Sequence, residues 1–96
     1  MAVRLVVSIT AAPGRGAEFA RAFAPRCEQS RQDPGCLQFD IFQSVSDPDK
    51  FALLELWESP DALANHAKLQ AARPPLPDGL RSGAGEREDY EYRRTR

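Results

Sequence analysis

The sequence predicts an α+β domain of the ferredoxin-like type, in which two helices cover one face of a four-stranded antiparallel sheet. Four segments have the branched and aromatic residues of strands, and two have the 3.6-residue period of amphipathic helices, in the order βαββαβ. A chain of 96 residues is expected to form one domain. Its core is expected from about residue 3 to residue 93, with a loop at 73–85 and a C-terminal tail at 94–96.

The first two strands are indicated by alternation of apolar and polar residues. Residues 3–10 form the first strand and residues 36–44 the second, which places Leu37, Phe39 and Ile41 on one face. The turn between residues 45 and 50 contains Ser, Asp and Pro, so the second and third strands are expected to pair as a hairpin.

The third strand, at residues 51–57, is apolar on both faces and therefore requires cover on both. One face carries Phe51, Leu53, Glu55 and Trp57. Glu55 is an acid inside an apolar strand, and its carboxylate needs a partner.

The first helix is expected from residue 17 to about residue 32, because Phe19, Phe23 and Cys27 recur at every fourth position. Pro25 lies inside this pattern. Because proline lacks a backbone donor and clashes with the preceding turn, it predicts a kink or a broken turn.

The start of the second helix is predicted by Ser59-Pro60-Asp61, which combines an N-cap serine, a proline at the first helical position and an acid in the first turn. His66, the only histidine, is then predicted to face the sheet. It shares that face with Leu63, Ala67 and Gln70.

The segment 73–85 is rich in Pro and Gly and long for a compact domain, which indicates either a functional lid or a disordered spacer. Residues 86–93 are expected to form the last strand, with Tyr90 and Tyr92 on one face and charged residues on the other.

The net charge and the lengths of the apolar segments give no indication of a nucleic-acid or membrane partner. The net charge of −1 gives no reason to expect a nucleic acid, and no segment approaches the ~20 apolar residues that span a membrane. The N-terminus is read as the first strand and not as a signal peptide. We therefore expect a cytoplasmic protein.

The open face of the predicted sheet carries apolar residues, among them Val6, Leu54 and Phe42. Two helices cover only the other face. A second copy of the chain, packed sheet against sheet as a homodimer, is the expected cover; a monomer with an unusually apolar surface is the alternative.

The segments 34–42, 47–59 and 62–66 together resemble the antibiotic biosynthesis monooxygenase (ABM) domain family. The first strand, followed by Pro13-Gly14 and Glu18-Phe19, is also similar to this family, and the resemblance covers residues 3 to about 69. It implies a dimeric α/β barrel with a pocket between sheet and helices in each protomer.

For some members the resemblance also implies oxygenation of electron-rich hydroxylated aromatics or quinols by O₂ without any cofactor. Such a reaction requires a base, apolar walls for a flat substrate, and exclusion of bulk water. The candidate catalytic residues are His66, the only neutral base near pH 7, and Glu55. The candidate substrate-binding residues are Trp57, Phe39, Phe51 and Tyr90.

Each candidate has a structural alternative. A lone histidine on an apolar helix face is usually a hydrogen-bonded core residue, and the aromatic residues are core residues by default. Glu55 can instead point into a dimer interface and pair there with an arginine such as Arg4.

Three other functions remain open. One is a non-catalytic dimer that binds a small molecule or serves as an accessory unit. Haem degradation is disfavoured, because those relatives rely on an Asn in the first strand, a Trp on the second helix and a further His, which are absent here. An isomerase of phosphorylated sugars would need a cluster of phosphate-binding residues. Only Arg73 and Arg81, in the long loop, suggest one.

Overall fold

The computed structural model describes residues 1–96 and contains the expected elements in the expected order. The strand boundaries lie within two residues of those predicted. The elements are β1 (Val3–Thr10), α1 (Gly16–Arg31), β2 (Cys36–Gln43), β3 (Lys50–Trp57), α2 (Pro60–Ala71) and β4 (Glu86–Glu91).

All four strands form one antiparallel sheet in the order β2-β3-β1-β4, which confirms the ferredoxin-like fold. In the register of the sheet, Leu5 lies opposite Glu55, and Val7 lies opposite both Leu53 and Arg87. Residues that lie opposite each other share a face. Glu55 and Arg87 are therefore on the same face, with β1 between them.

Both helices lie on that face, which we call the covered face. Three residues of α1, Phe19, Phe23 and Cys27, are buried in the hydrophobic core, as their spacing predicted. The ring centroids of Phe19 and Phe51 are 5.0 Å apart, and those of Phe23 and Phe39 are 6.5 Å apart. These contacts join α1 to β2 and β3.

Pro25 does not interrupt α1, so a broken turn is excluded, whereas a kink at this position stays a prediction. The residue is exposed on the side of the helix away from the sheet. The carbonyl of Arg21, which loses its helical partner there, is open to hydrogen bonding by water.

Leu37 also departs from the prediction. A β-bulge between Cys36 and Gln38 shifts the register of β2, and the Leu37 side chain is 59% exposed. A bulge adds one unpaired residue and reverses the side on which it would otherwise lie. Phe39 and Ile41 keep the covered face.

The segment 73–85 is tied to the body of the protein. Backbone hydrogen bonds join Ala12 N to Leu80 O (2.8 Å) and Ser82 N to Thr10 O (2.8 Å). Leu80 is 3% exposed and belongs to the core. In this structure the segment forms a fixed wall, and its role as a lid stays a prediction.

The other face of the sheet, the open face, is covered by no element of this chain. Phe42 is 50% exposed and Tyr90 is 52% exposed. Arg4 lies across this face and donates a hydrogen bond to Gln38 Oε1 at 2.6 Å, which helps to bury the neighbouring Leu56.

Candidate functional site

A cleft lies on the covered face, between α1 and α2. Its larger part has a volume of about 720 Å³ and its smaller part about 310 Å³. We call the two together the His66 cleft. The residues common to both parts are Arg26, Glu55, His66, Gln70 and Arg87.

His66 reaches this cleft because of how α2 begins. Ser59 has an extended backbone, and its Oγ accepts a hydrogen bond from Ala62 N at 3.1 Å, as expected of an N-cap. Pro60 occupies the first helical position. With the start of the helix fixed in this way, His66 is the one buried residue of α2.

The ring of His66 is held by Asp33. The distance between His66 Nδ1 and Asp33 Oδ2 is 2.7 Å, and both residues are 7% exposed. Arg73 donates two hydrogen bonds to the same carboxylate, at 2.5 Å and 3.0 Å. The carboxylate thus has partners on both oxygens.

The position of Asp33 depends on the turn that follows α1. Gly35 has a φ of +82°, and a β-carbon added there would lie 2.5 Å from Ala62 Cβ. Its carbonyl accepts a hydrogen bond from Glu58 N at 2.9 Å. Only glycine permits this close approach, and it brings the turn containing Asp33 against the start of α2.

Asp33 stays ionised in this setting. Burial acts to raise the pKa of Asp33, but the hydrogen bonds from Arg73 and His66 outweigh it, so the pKa lies below its ordinary value. A carboxylate beside Nδ1 requires that nitrogen to carry a proton. When the ring is neutral, this arrangement leaves Nε2 as a lone-pair acceptor.

Nε2 of His66 is free to act on a ligand. It makes no hydrogen bond within the protein and is not completely buried. It therefore keeps contact with open space, and His66 borders both parts of the cleft.

Glu55 lies on the covered face and borders the same cleft. Its Oε1 accepts a hydrogen bond from Trp57 Nε1 at 2.9 Å, and the residue is 6% exposed. Burial raises the pKa of Glu55, and the Trp57 bond and the charges of His66 and Arg87 offset this only in part. Protonation of Glu55 is therefore easier than that of an exposed glutamate.

Trp57 connects the two groups. Its ring centroid lies 4.5 Å from that of His66, and its Nε1 donates to Glu55. Because Trp57 has 0% exposure, it is not a cleft wall. It fixes the positions of both neighbours.

The other predicted binding residues are dispersed. Phe39 borders the smaller part of the cleft and lies 5.6 Å from the His66 ring. Phe51 packs against Phe19 in the core and borders neither part of the cleft. Tyr90 lies on the open face, where its hydroxyl donates to Glu88, so it does not meet the cleft within one protomer.

The direct partner of His66 is Asp33, which the sequence reasoning missed. Asp33 is not among the candidate residues predicted from the sequence. The pair Glu55 and Arg4 was the alternative considered for the acid; Arg4 instead contacts Gln38 and the backbone carbonyl of Glu55.

The chain contains neither a cluster of metal ligands nor a helix that could span a membrane. No group of three or more His, Cys, Asp or Glu side chains is arranged to hold a metal ion. Neither helix has the length and apolar character needed to cross a bilayer.

Solved structures resemble this chain over almost its full length. PA3566 from Pseudomonas aeruginosa is 28% identical with a TM-score of 0.80, and the match covers 98% of this chain and 95% of that one. A Nitrosomonas europaea protein provisionally named an antibiotic biosynthesis monooxygenase is 24% identical (TM-score 0.77; 93% and 88% covered).

A point variant of SnoaB, a cofactor-independent oxygenase from Streptomyces nogalater, is 20% identical (TM-score 0.72; 98% and 95% covered). At these identities the last two structures show the shared fold alone. No curated protein sequence matches the chain.

The sequence itself matches the antibiotic biosynthesis monooxygenase family over residues 2–73, which include β1, both helices, the hairpin and the residues Asp33, Glu55 and His66. This match spans about three quarters of the 96 residues. The chain therefore belongs to the antibiotic biosynthesis monooxygenase family.

Proposed function

We propose that the protein is a cofactor-independent monooxygenase that oxidises an electron-rich hydroxylated aromatic compound or quinol with O₂. The observation that carries the proposal is the accessible Nε2 of His66, whose ring is oriented by Asp33 at 2.7 Å in a cleft that also contains Glu55. Family membership supports the same class of reaction.

In the proposed reaction, Nε2 of His66 removes a proton from the substrate. The electron-rich anion gives one electron to O₂, and the radical pair recombines to a peroxide on a ring carbon. This peroxide takes back the proton held by His66 and becomes a hydroperoxide. For an anthrone-type CH₂ carbon, loss of water then leaves a new carbonyl. One oxygen atom stays in the product and the other leaves as water, so the substrate supplies all the electrons.

Glu55 is proposed as the proton donor in the last step. Because burial raises its pKa, the protonated form is accessible closer to neutral pH than for an exposed glutamate. It would donate to the outer peroxide oxygen as the O–O bond breaks, while the base takes the remaining C–H proton. Leu5, Leu63 and Phe39 supply apolar surface for the ring.

Labelled oxygen tests this proposal. With ¹⁸O₂ and an anthrone, we expect O₂ uptake well above the rate in buffer and one labelled atom in the new carbonyl. A naphthohydroquinone panel defines the preferred ring. Uptake equal to the buffer rate for wild type and His66→Ala on every substrate would contradict the proposal; stabilisation of the fold by a ligand without turnover would favour the binding-protein alternative.

We also propose that the chain forms a homodimer through the open face. Phe42 and Tyr90 are about half exposed there, and Leu54 is partly buried on the same face. Burying such side chains against a second sheet is favourable by about 25 cal/mol per Å² of apolar surface. A mass measurement in dilute solution should give twice the mass of the 10.7 kDa chain; a lone 10.7 kDa species would exclude the dimer.

A further inference from the structure

Four arginines border the His66 cleft: Arg26, Arg73, Arg81 and Arg87. Two of them are neutralised within the protein, since Arg73 pairs with Asp33 and Arg87 pairs with Asp89.

The remaining two, Arg26 and Arg81, form no ion pair. The Arg26 guanidinium donates to the carbonyl of Pro74 at 2.7 Å, and that of Arg81 donates to the carbonyl of Ala84 at 2.7 Å. A guanidinium has five N–H donors. One hydrogen bond to a neutral carbonyl leaves both the charge and most of the donors available to a ligand.

The surroundings of Arg26 also disfavour its charged form. Burial lowers the pKa of Arg26, and repulsion by Arg73 lowers it further. An arginine in such a position is stabilised by any anion that enters the cleft. The absence of a protein counter-charge beside it is consistent with a ligand that supplies one.

The two free arginines share two cavities, although Arg26 also borders the larger part of the cleft. Both border its smaller part, and both also border an adjoining cavity of about 350 Å³ under the segment 73–85. Phe23 borders the same two cavities. The smaller part of the cleft thus joins an arginine-lined end to His66 and Glu55.

The charges at this end favour a ligand with a small negative charge. Besides Glu55, two exposed carboxylates lie near the free arginines: Glu86 borders the smaller part of the cleft and Asp78 borders the adjoining cavity. Neither Glu86 nor Asp78 makes an ion pair, and solvent screens both. A carboxylate has one negative charge and two oxygens that match the planar guanidinium fork. A phosphate dianion would bring two negative charges to an end that already contains these carboxylates.

We propose that the substrate of the proposed oxygenation is an aromatic carboxylate, whose carboxylate group is bound by Arg26 and Arg81 while its hydroxylated ring lies beside His66. This inference rests on the proposed function for the ring chemistry, but the anion site is defined by the arginines alone.

Two unreactive probes with the same ring test the anion site. 2-Naphthoate carries the carboxylate, and 2-naphthamide replaces it with a neutral amide of similar shape; neither has the hydroxyl groups needed for turnover. Titration calorimetry with the wild-type protein should give about tenfold tighter binding of the naphthoate. Arg26→Gln and Arg81→Gln should each reduce this ratio towards one.

Arg21→Gln is the matched control, because Arg21 lies on the exposed side of α1 and borders neither part of the cleft. It should keep the wild-type ratio. Circular dichroism identifies any variant that fails to fold, and the comparison of the two probes on the wild-type protein stands without the variants.

Equal affinity of the wild-type protein for the two probes, or binding of neither, would overturn the anion site. A preference for naphthoate that survives both arginine substitutions would overturn its assignment to Arg26 and Arg81. O₂ uptake separates the two proposals: uptake with a neutral naphthohydroquinone but no naphthoate preference rejects the anion site alone, whereas a naphthoate preference without uptake on any hydroquinone rejects the oxygenation alone.

Discussion

The two faces of the sheet distribute charge and apolar surface in opposite ways. On the covered face, β3 buries Phe51, Leu53 and Trp57, yet the same row contains Glu55 beside His66. On the open face, the apolar Phe42 and the aromatic Tyr90 are half exposed. An antiparallel sheet with one solvated face normally places its polar residues there and its apolar residues inside.

Neither departure from the usual pattern stabilises the isolated chain. Burying a carboxyl with one hydrogen bond costs stability, and half-exposed aromatic residues gain little from folding. Departures from the normal pattern are expected where a protein binds or reacts. We interpret the covered face as the reactive one and the open face as the assembly surface.

The largest effect on activity is expected for substitution of Asp33, which orients the proposed base on the covered face. In Asp33→Asn the side-chain amide can donate to His66 Nδ1, and the proton of the ring then moves to Nε2, so the base is lost. Uptake of O₂ should fall by about 10²–10⁴-fold in a protein that still folds. Activity within a factor of two of wild type would show that Asp33 does not set the tautomer.

The same variant should change the dependence of stability on pH. Because the pKa of Asp33 is lowered in the folded protein, its contribution is present above the ordinary aspartate pKa and is lost as the pH falls through the folded value. The stability gap between wild type and Asp33→Asn should therefore narrow in acid, as measured by urea unfolding at a series of pH values.

A second prediction uses adjacent leucines that point to opposite faces. Leu53 is 5% exposed on the covered face, whereas Leu54 is only partly buried on the open face. Leu53→Ala should cost about 2–5 kcal/mol of unfolding free energy at any protein concentration. Leu54→Ala should cost less in dilute protein, and its effect should grow with concentration if the open face is a dimer interface.

Unfolding monitored over a hundredfold range of protein concentration separates these cases. A Leu54→Ala effect that does not depend on concentration would remove the open face as an assembly surface. It would leave the covered face and its cleft unaffected.

The smallest effect on stability is expected at Glu55, with a sign that depends on pH. Because the folded pKa of Glu55 is raised, the folded protein binds more protons than the unfolded chain between the ordinary glutamate pKa and the folded value. Wild type therefore loses stability as the pH rises through this window. Because the Gln side chain does not titrate, the stability of Glu55→Gln should rise relative to that of wild type as the pH increases through that window.

Glu55→Gln should also lower the rate of O₂ uptake, by about 10²-fold if the proton donor is lost. Thermal unfolding and an oxygen electrode measure the two effects on the same sample. A Glu55→Gln protein that is fully active would leave Glu55 with a structural role only.

Much of the fold could be predicted because its determinants are local. The alternation of apolar and polar residues predicts β1. The Ser59-Pro60 cap predicts where α2 begins, and therefore the face of the helix on which His66 lies. The failures also have local causes: Pro25 is tolerated because it lies on the solvent side of α1, and Leu37 is exposed because a bulge shifts the register of β2.

The site could be predicted only in part, because its contacts are between distant segments. Asp33 and His66 are 33 residues apart in the sequence and meet only when the turn at Gly35 packs against α2. The position of Tyr90 on the open face follows from the register of β4 against β1, which no local pattern determines. The one available signal was the glycine after Asp33-Pro34, which marks a close approach of backbone.

The most direct measurement is the rate of O₂ uptake with a naphthohydroquinone for His66→Gln beside Asn65→Ala. Asn65 is the exposed neighbour of His66 on α2 and serves as the control. We predict a loss of about 10²–10⁴-fold for His66→Gln and a wild-type rate for Asn65→Ala. A His66→Gln protein that consumes O₂ at the wild-type rate would contradict the assignment of the covered face as the reactive one.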